Sequence, residues 1–217
     1  MIASQDITGL VLAGGRGSRM GGVDKGLQPY AGVPLAQHTL HRLAPQVGPL
    51  LINANRHLDT YRSWGTPVVT DTEPDFAGPL AGFLAGLAHC QTPWLLAVPC
   101  DTPRFPADLA ARMAAAASAN GALIVVAEAP ESDSQRAGAL RAQPAFCLMH
   151  HSLRDSLERF VREGGRKIDH WTALHPMAAA SFDAPSDDAR AFANANTLQE
   201  LEALELLQAL PPHCAGR

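Results

Sequence analysis

The feature that most constrains this chain is a regular exchange of short, almost unbroken apolar runs with segments of helical spacing. The apolar runs are ITGLVLA (7–13), PLLINAN (49–55), PVVTD (67–71), WLLAVPCD (94–101) and ALIVVAEA (122–129). Between them, 34–47 places Leu35, Leu40, Leu43 and Val47 on one helical face, 57–64 reads as a short helix, and 78–90 opens on Gly78-Pro79. The alanine-rich 106–120 reads as a helix stopped by Gly121. Strands without a polar face need cover on both sides, so the pattern predicts βαβ units and an α/β fold with a parallel sheet. A polar break at 130–143 interrupts the pattern. After it come a short strand at 144–150, helices at 152–165 and 167–174, and a last strand at 178–184. A closing helix at 197–210 has Thr197 and Glu200 spaced as a capping box, and 211–217 reads as a frayed tail.

With 217 residues the chain is long enough to bury a core without staples, as one large domain or two small ones. Its net charge of −4 argues against a general nucleic-acid binder but leaves room for a small anion in a local basic pocket. Cys90, Cys100, Cys147 and Cys214 form no CxxC pair or zinc-spaced cluster and read as reduced thiols. The chain opens without the basic and apolar regions of a signal peptide, and its longest apolar run is too short to span a bilayer. A cytoplasmic protein without membrane partners is the expectation.

Ligands of open α/β sheets sit at the carboxyl ends of strands. Here those ends carry Gly14-Gly15-Arg16, Asn53-Ala54-Asn55, Asp71 and Asp101. Gly14, Gly15 and Gly17 allow backbone N–H groups to approach oxygen atoms, while Arg16, Arg19 and Lys25 add positive charge, a combination that suits phosphate. The loop is not a P-loop, because Lys25 follows Asp24 and precedes Gly26. It is not a dinucleotide fingerprint either, because Met20 stands at the third glycine position and the second strand ends in Asn53-Ala54-Asn55 without an acid.

The stretch LAGGRGSRMGGVDKGL, followed by NAN, Asp71, GPLAG, PCDTP and NANT, resembles the molybdenum cofactor guanylyltransferases of the MobA type, from residue 7 to about 201. The wider nucleotidyltransferase superfamily shares only the glycine loop, the lysine and an acidic metal ligand. Asp24-Lys25, the second glycine of LAGG, and GPLAG favour the guanylyl branch. The resemblance implies that GTP reacts with the phosphate of a molybdenum-bearing pterin, releasing pyrophosphate and leaving a guanine dinucleotide. It also implies a single Rossmann-like three-layer domain over 1–210 whose mostly parallel sheet has one reversed strand. A GTP-binding half would cover about 1–103 and a pterin-side half about 104–210. Neither the reaction nor the reversed strand follows from composition or spacing.

On the same resemblance, Lys25 neutralises phosphate charge during attack, with Arg19 supporting the triphosphate. Asp101 holds Mg²⁺, consistent with the cost of leaving a carboxylate unpaired at the mouth of a buried strand. Leu12 and Ala13 offer backbone groups to guanine, next to Gly14 and Gly15. Asn53 and Asp71 line the nucleotide pocket, and Gly78 admits close backbone approach. Gly82 serves either that approach or helix–sheet packing. Asn194 and Asn196 lie near the pterin phosphate or metal, and Arg166 and Lys167 are candidates to meet the pterin. The segment 130–143 carries little family motif beyond Gln143-Pro144, where the family often has His-Pro. Transient contact with chaperones of molybdoenzymes is a further expectation. Two alternatives stay open: a cytidylyl-, sugar- or isoprenoid-type nucleotidyltransferase, and a catalytically silent nucleotide binder.

Overall fold

The computed structural model describes residues 1–13, 23–72, 78–130, 139–195, 197, 199–202 and 205. The strands are β1 (Ile7–Leu12), β2 (Pro29–Tyr30), β3 (Val33–Pro34), β4 (Leu50–Asn53), β5 (Val68–Val69), β6 (Trp94–Pro99), β7 (Ile124–Pro130), β8 (Leu140–His150) and β9 (Met177–Ser181). The helices are α1 (Leu35–Leu43), α2 (Leu58–Arg62), α3 (Pro79–His89), α4 (Leu109–Asn120), α5 (Arg154–Arg162) and α6 (Ile168–Thr172). Seven strands form one sheet in the order β5-β4-β1-β6-β8-β7-β9. β1 runs parallel to β4 and β6, β4 to β5, and β7 to β9, whereas β8 is antiparallel to both β6 and β7. Among the described residues β8 is therefore the single reversed strand of this sheet.

Side chains alternate across a strand, and that period sorts the core into two layers. Val11, Leu96, Val98, Val125 and Leu148 point to the face covered by α1 and α4. Leu10, Leu95, Ala97, Ile124 and Met149 point to the face covered by α3, α5 and α6. The architecture is three-layer α/β/α, and both faces of the central strands are sealed, which is why their sequences show no polar alternation. From β1 the chain winds outward to β4 and β5, then returns to place β6 on the other side of β1. The carboxyl ends of β1 and β6 thus flank the topological switch point, where a crevice opens in folds of this kind.

Gly121 takes the left-handed conformation at φ 59° and closes α4, as its position predicts. The Thr197–Glu200 box also forms. The Glu200 N–H donates to Thr197 Oγ1 at 3.1 Å and the Thr197 N–H to Glu200 Oε2 at 3.2 Å. The expected break at 130–143 and the strand at 144–150 need correction, because β7 reaches Pro130 and β8 begins at Leu140. Residues 140–143 pair with 127–130 beyond a register shift at Val126/Ala127. Pro144, which has no N–H to offer the ladder, lies in that irregularity. Leu140, Arg141 and Ala142 are exposed, so the β8 half of this arm imprints no apolar period, while Ala127 and Ala129 of β7 are buried. The β2–β3 hairpin went unpredicted. Its turn, Ala31 (φ 49°) and Gly32 (φ 77°), places a non-glycine residue where the common Asn-Gly signal would stand.

Candidate functional site

Two clusters of polar side chains stand at the carboxyl edge of the sheet. The first is built on Asp24, only 5% exposed. A carboxylate so placed must be hydrogen-bonded. Its Oδ1 accepts from the Tyr61 hydroxyl at 2.9 Å and from the Gly26 N–H at 3.1 Å, which caps the short helical turn Lys25–Leu27. A Cβ at position 26 would stand 2.4 Å from the Tyr61 hydroxyl oxygen, so only glycine lets α2 approach this turn so closely. Burial, and then the negative charge of Asp24, push the Tyr61 hydroxyl far above the usual tyrosine range, so it stays protonated and donating.

The turn presents Lys25, whose Nζ donates to Asp101 Oδ2 at 2.8 Å. Both side chains remain partly exposed, at 18% and 25%, so the pair is open to a ligand. Asp101 is fixed from three sides. The preceding Cys100 N–H donates to the Leu12 carbonyl at 3.1 Å, the Thr102 hydroxyl donates to Asp101 Oδ1 at 3.3 Å, and the Ala195 N–H donates to the Asp101 carbonyl at 2.9 Å. The last bond ties the residue after exposed Asn194 to the Asp101 backbone. Removing the Tyr61 hydroxyl leaves a buried carboxylate short of one charge-assisted bond, which is worth about 2 kcal/mol. Tyr61→Phe is therefore expected to lower the Tm by about 4–8 °C in a chain of this size. A thermal melt indistinguishable from wild type would show that the pair contributes nothing.

The second cluster joins the ends of β4 and β5. Asn53, 3% exposed, donates from Nδ2 to Asp71 Oδ1 at 2.8 Å. Asn55 donates from Nδ2 to Asp71 Oδ2 at 2.7 Å, and its own Oδ1 accepts from the Asp71 N–H at 2.9 Å. Gly82 lies against Asn53: a Cβ there would be 2.6 Å from Asn53 Oδ1 and 2.7 Å from Leu12 Cδ2. Of its two expected roles, close packing of α3 on the sheet is the one observed. Gly78 caps α3 at φ 155°, ψ 171°, a conformation kept for glycine, with open space where a Cβ would be.

Of the other expected residues, Ala13 donates its N–H to the Asn53 carbonyl at 2.8 Å, and the Leu12 carbonyl already accepts from Cys100. A carbonyl has a second lone pair, which is what Leu12 has left to offer a ligand. Arg166 donates to the Val161 and Gly165 carbonyls at the end of α5. Gly14, Gly15, Arg16, Gly17, Arg19, Met20 and Asn196 lie outside the described residues, as do Cys214 and most of 197–210. Cys100 and Cys147 are free and buried, and burial raises both thiols, Cys147 to about 12, so neither is a nucleophile at neutral pH.

Among the described residues no three His, Cys, Asp or Glu side chains converge as a metal cage. Asp101 is a lone carboxylate beside a lysine, a donor set that fits a hard cation completed by phosphate and water oxygens, not a structural zinc. Among the same residues no helix is long and apolar enough to cross a membrane.

A profile described as the MobA-like NTP transferase domain matches residues 9–177. The chain belongs to the MobA-like NTP transferase family. Curated relatives named molybdenum cofactor guanylyltransferase agree with this MobA-like chain almost end to end. The one from Acidovorax ebreus (strain TPSY) is 63% identical over 207 residues, 94% of this chain and 98% of its own. The one from Albidiferax ferrireducens is 60% identical over 207 residues with the same coverage. Among solved structures, molybdopterin-guanine dinucleotide biosynthesis protein A from Archaeoglobus fulgidus superposes with a TM-score of 0.71 at 18% identity, covering 93% of this chain and 98% of that one. The 4-diphosphocytidyl-2C-methyl-D-erythritol synthase of Anaerococcus prevotii also gives 0.71, at 10% identity, covering 94% and 99%. At 18% and 10% identity these two structures share the fold alone with this chain.

Proposed function

We propose that this MobA-like protein transfers GMP from GTP to the phosphate of a molybdenum-bearing pterin. A pterin phosphate oxygen forms a bond to the α-phosphorus of GTP, the bond from that phosphorus to the bridging oxygen breaks, and pyrophosphate leaves. The observation that carries this reading is the Lys25–Asp101 pair, 2.8 Å apart and open to solvent at the switch point between β1 and β6. Lys25 binds the triphosphate and compensates charge as the α-phosphorus is attacked; preorganised charge of this kind is commonly the largest catalytic contribution. Arg19, in the glycine loop with Gly14 and Gly15, supports the same phosphates. Asp101 holds Mg²⁺, which supplies Lewis-acid polarisation of phosphate oxygens when bound. Thr102 and the Ala195 N–H keep Asp101 in place, and Asn194 and Asn196 serve the pterin phosphate or the metal.

Asn53 and Asp71 take the nucleoside end, with the Leu12 carbonyl, the Ala13 backbone and Gly78 around it. β5 and β6 are three strand spacings apart, roughly 14 Å at about 4.8 Å each. That span exceeds the reach from a phosphate to its ribose and suits the base. On this division residues 1–103 serve GTP, and 104–210, with Arg166 and Lys167, serve the pterin. The setting is the cytoplasm, with transient contact with chaperones of molybdoenzymes.

A nucleotide panel with Mg²⁺ tests the reading. GTP at a hundred times its Kd stabilises by about 2.7 kcal/mol and should raise the Tm by about 5–10 °C. Mass spectrometry should find the guanine dinucleotide after pterin is added. Greater stabilisation by CTP, or no pyrophosphate from GTP and loaded pterin, would overturn it in favour of a cytidylyl enzyme or a silent binder.

A further inference from the structure

We infer that Asn55 is a positioning residue for base selection, acting through Asp71; this rests on the assignment of Asp71 to the base end of GTP. Asn55 is exposed, yet it commits both ends of its amide to one neighbour. An exposed asparagine gains little by such a closed ring unless the neighbour's orientation matters, because water would satisfy either end equally well. The ring sets the Asp71 backbone through its N–H and the carboxylate plane through Oδ2, while Asn53 holds Oδ1 from the buried side. A carboxylate offers about four lone-pair sites, so two remain for a ligand once the asparagines have taken theirs.

The chemistry of those sites is selective. A fixed carboxylate accepts best from two adjacent, parallel donors. Among the four common bases only guanine presents such a pair on its pairing edge, the ring N1–H and the exocyclic N2–H. Adenine and cytosine each set an acceptor nitrogen beside their amino group, which would face the carboxylate and be repelled. Uracil has one N–H between two carbonyls. A carboxylate free to rotate could turn away from those mismatches, whereas one locked by Asn53 and Asn55 cannot. Asn55 thus converts an acidic side chain into a reader of guanine without touching the base itself.

The test compares GTP with ITP, which keeps N1–H and lacks the amino group. Affinities are measured by calorimetry with Mg²⁺, so no pterin is needed. The wild-type protein is expected to prefer GTP by about tenfold or more, because a site shaped to accept from the exocyclic amino group loses that bond with the analogue. Asn55→Ala should reduce that preference to about a tenth of its wild-type value, toward no discrimination, while the Tm of the unliganded protein moves by no more than about 2 °C, as expected for an exposed side chain. Asp71→Asn serves as the control. If Asp71→Asn abolishes the preference and Asn55→Ala leaves it unchanged, the positioning role is wrong and the base assignment stands. If Asp71→Asn leaves the preference unchanged, Asp71 does not read the base and the inference falls with that assignment.

Discussion

Replacing Lys25 by alanine is expected to reduce GMP transfer by about a thousandfold while the protein stays folded. A lysine ammonium about 4 Å from a phosphate oxygen interacts by roughly 4 kcal/mol at an effective dielectric of 20, and charge that develops during attack raises its value in the transition state. The structural loss is much smaller. The Lys25–Asp101 pair is partly solvated, at 18% and 25% exposure, and bridges of that kind contribute on the order of 1 kcal/mol or less. The turn that carries Lys25 is held by Asp24, Tyr61 and the Gly26 N–H, none of which involves the lysine side chain. Thermal melts of Lys25→Ala should therefore lie within about 4 °C of wild type, while pyrophosphate release from GTP and loaded pterin falls to near background. Turnover within tenfold of wild type would remove Lys25 from the reaction.

That separation of chemistry from scaffold explains what the sequence could reveal. Central strands buried on both faces leave an unambiguous apolar signature, so β1, β4 and β6 and the positions of their tips were legible, and Asn53 and Asp101 could be named there as candidates. Tyr61 was not. On α2 it reads as one more aromatic in a short helix, and its partner Asp24 is 37 residues away in sequence, brought near only by the winding of β4 beside β1. Asn55 was visible in the Asn-Ala-Asn run but was given no role, because its ring with Asp71 depends on β5 returning parallel to β4. The start of β8, before the expected strand at 144–150, escaped for the opposite reason: Leu140, Arg141 and Ala142 are exposed, and no burial pattern records them. The reversed direction of β8 leaves no mark in an apolar run, which reads the same whichever way it pairs, and came only with the family resemblance.

Asp101→Asn separates a metal ligand from a merely structural carboxylate, and its effect should rival that of the lysine change. Asparagine has nearly the same volume, and its Oδ1 can still accept from Lys25, so the local frame survives; the Ala195 N–H binds the backbone carbonyl and is untouched. What disappears is the negative charge, and on the proposed role a divalent cation completed by water and phosphate would lose the Asp101 carboxylate that holds it. GMP transfer at a fixed low magnesium concentration is expected to fall by about a hundredfold or more, on the scale of losing one preorganised electrostatic contact. The magnesium concentration giving half-maximal rate should rise at least tenfold. In thermal shift, the extra stabilisation of GTP with magnesium over GTP alone should shrink in the variant, because a ligand stabilises only as far as it binds the folded state. If Asp101 served only to hold the loop after β6, Asn would preserve that function, and the magnesium response of Asp101→Asn would overlay the wild-type curve.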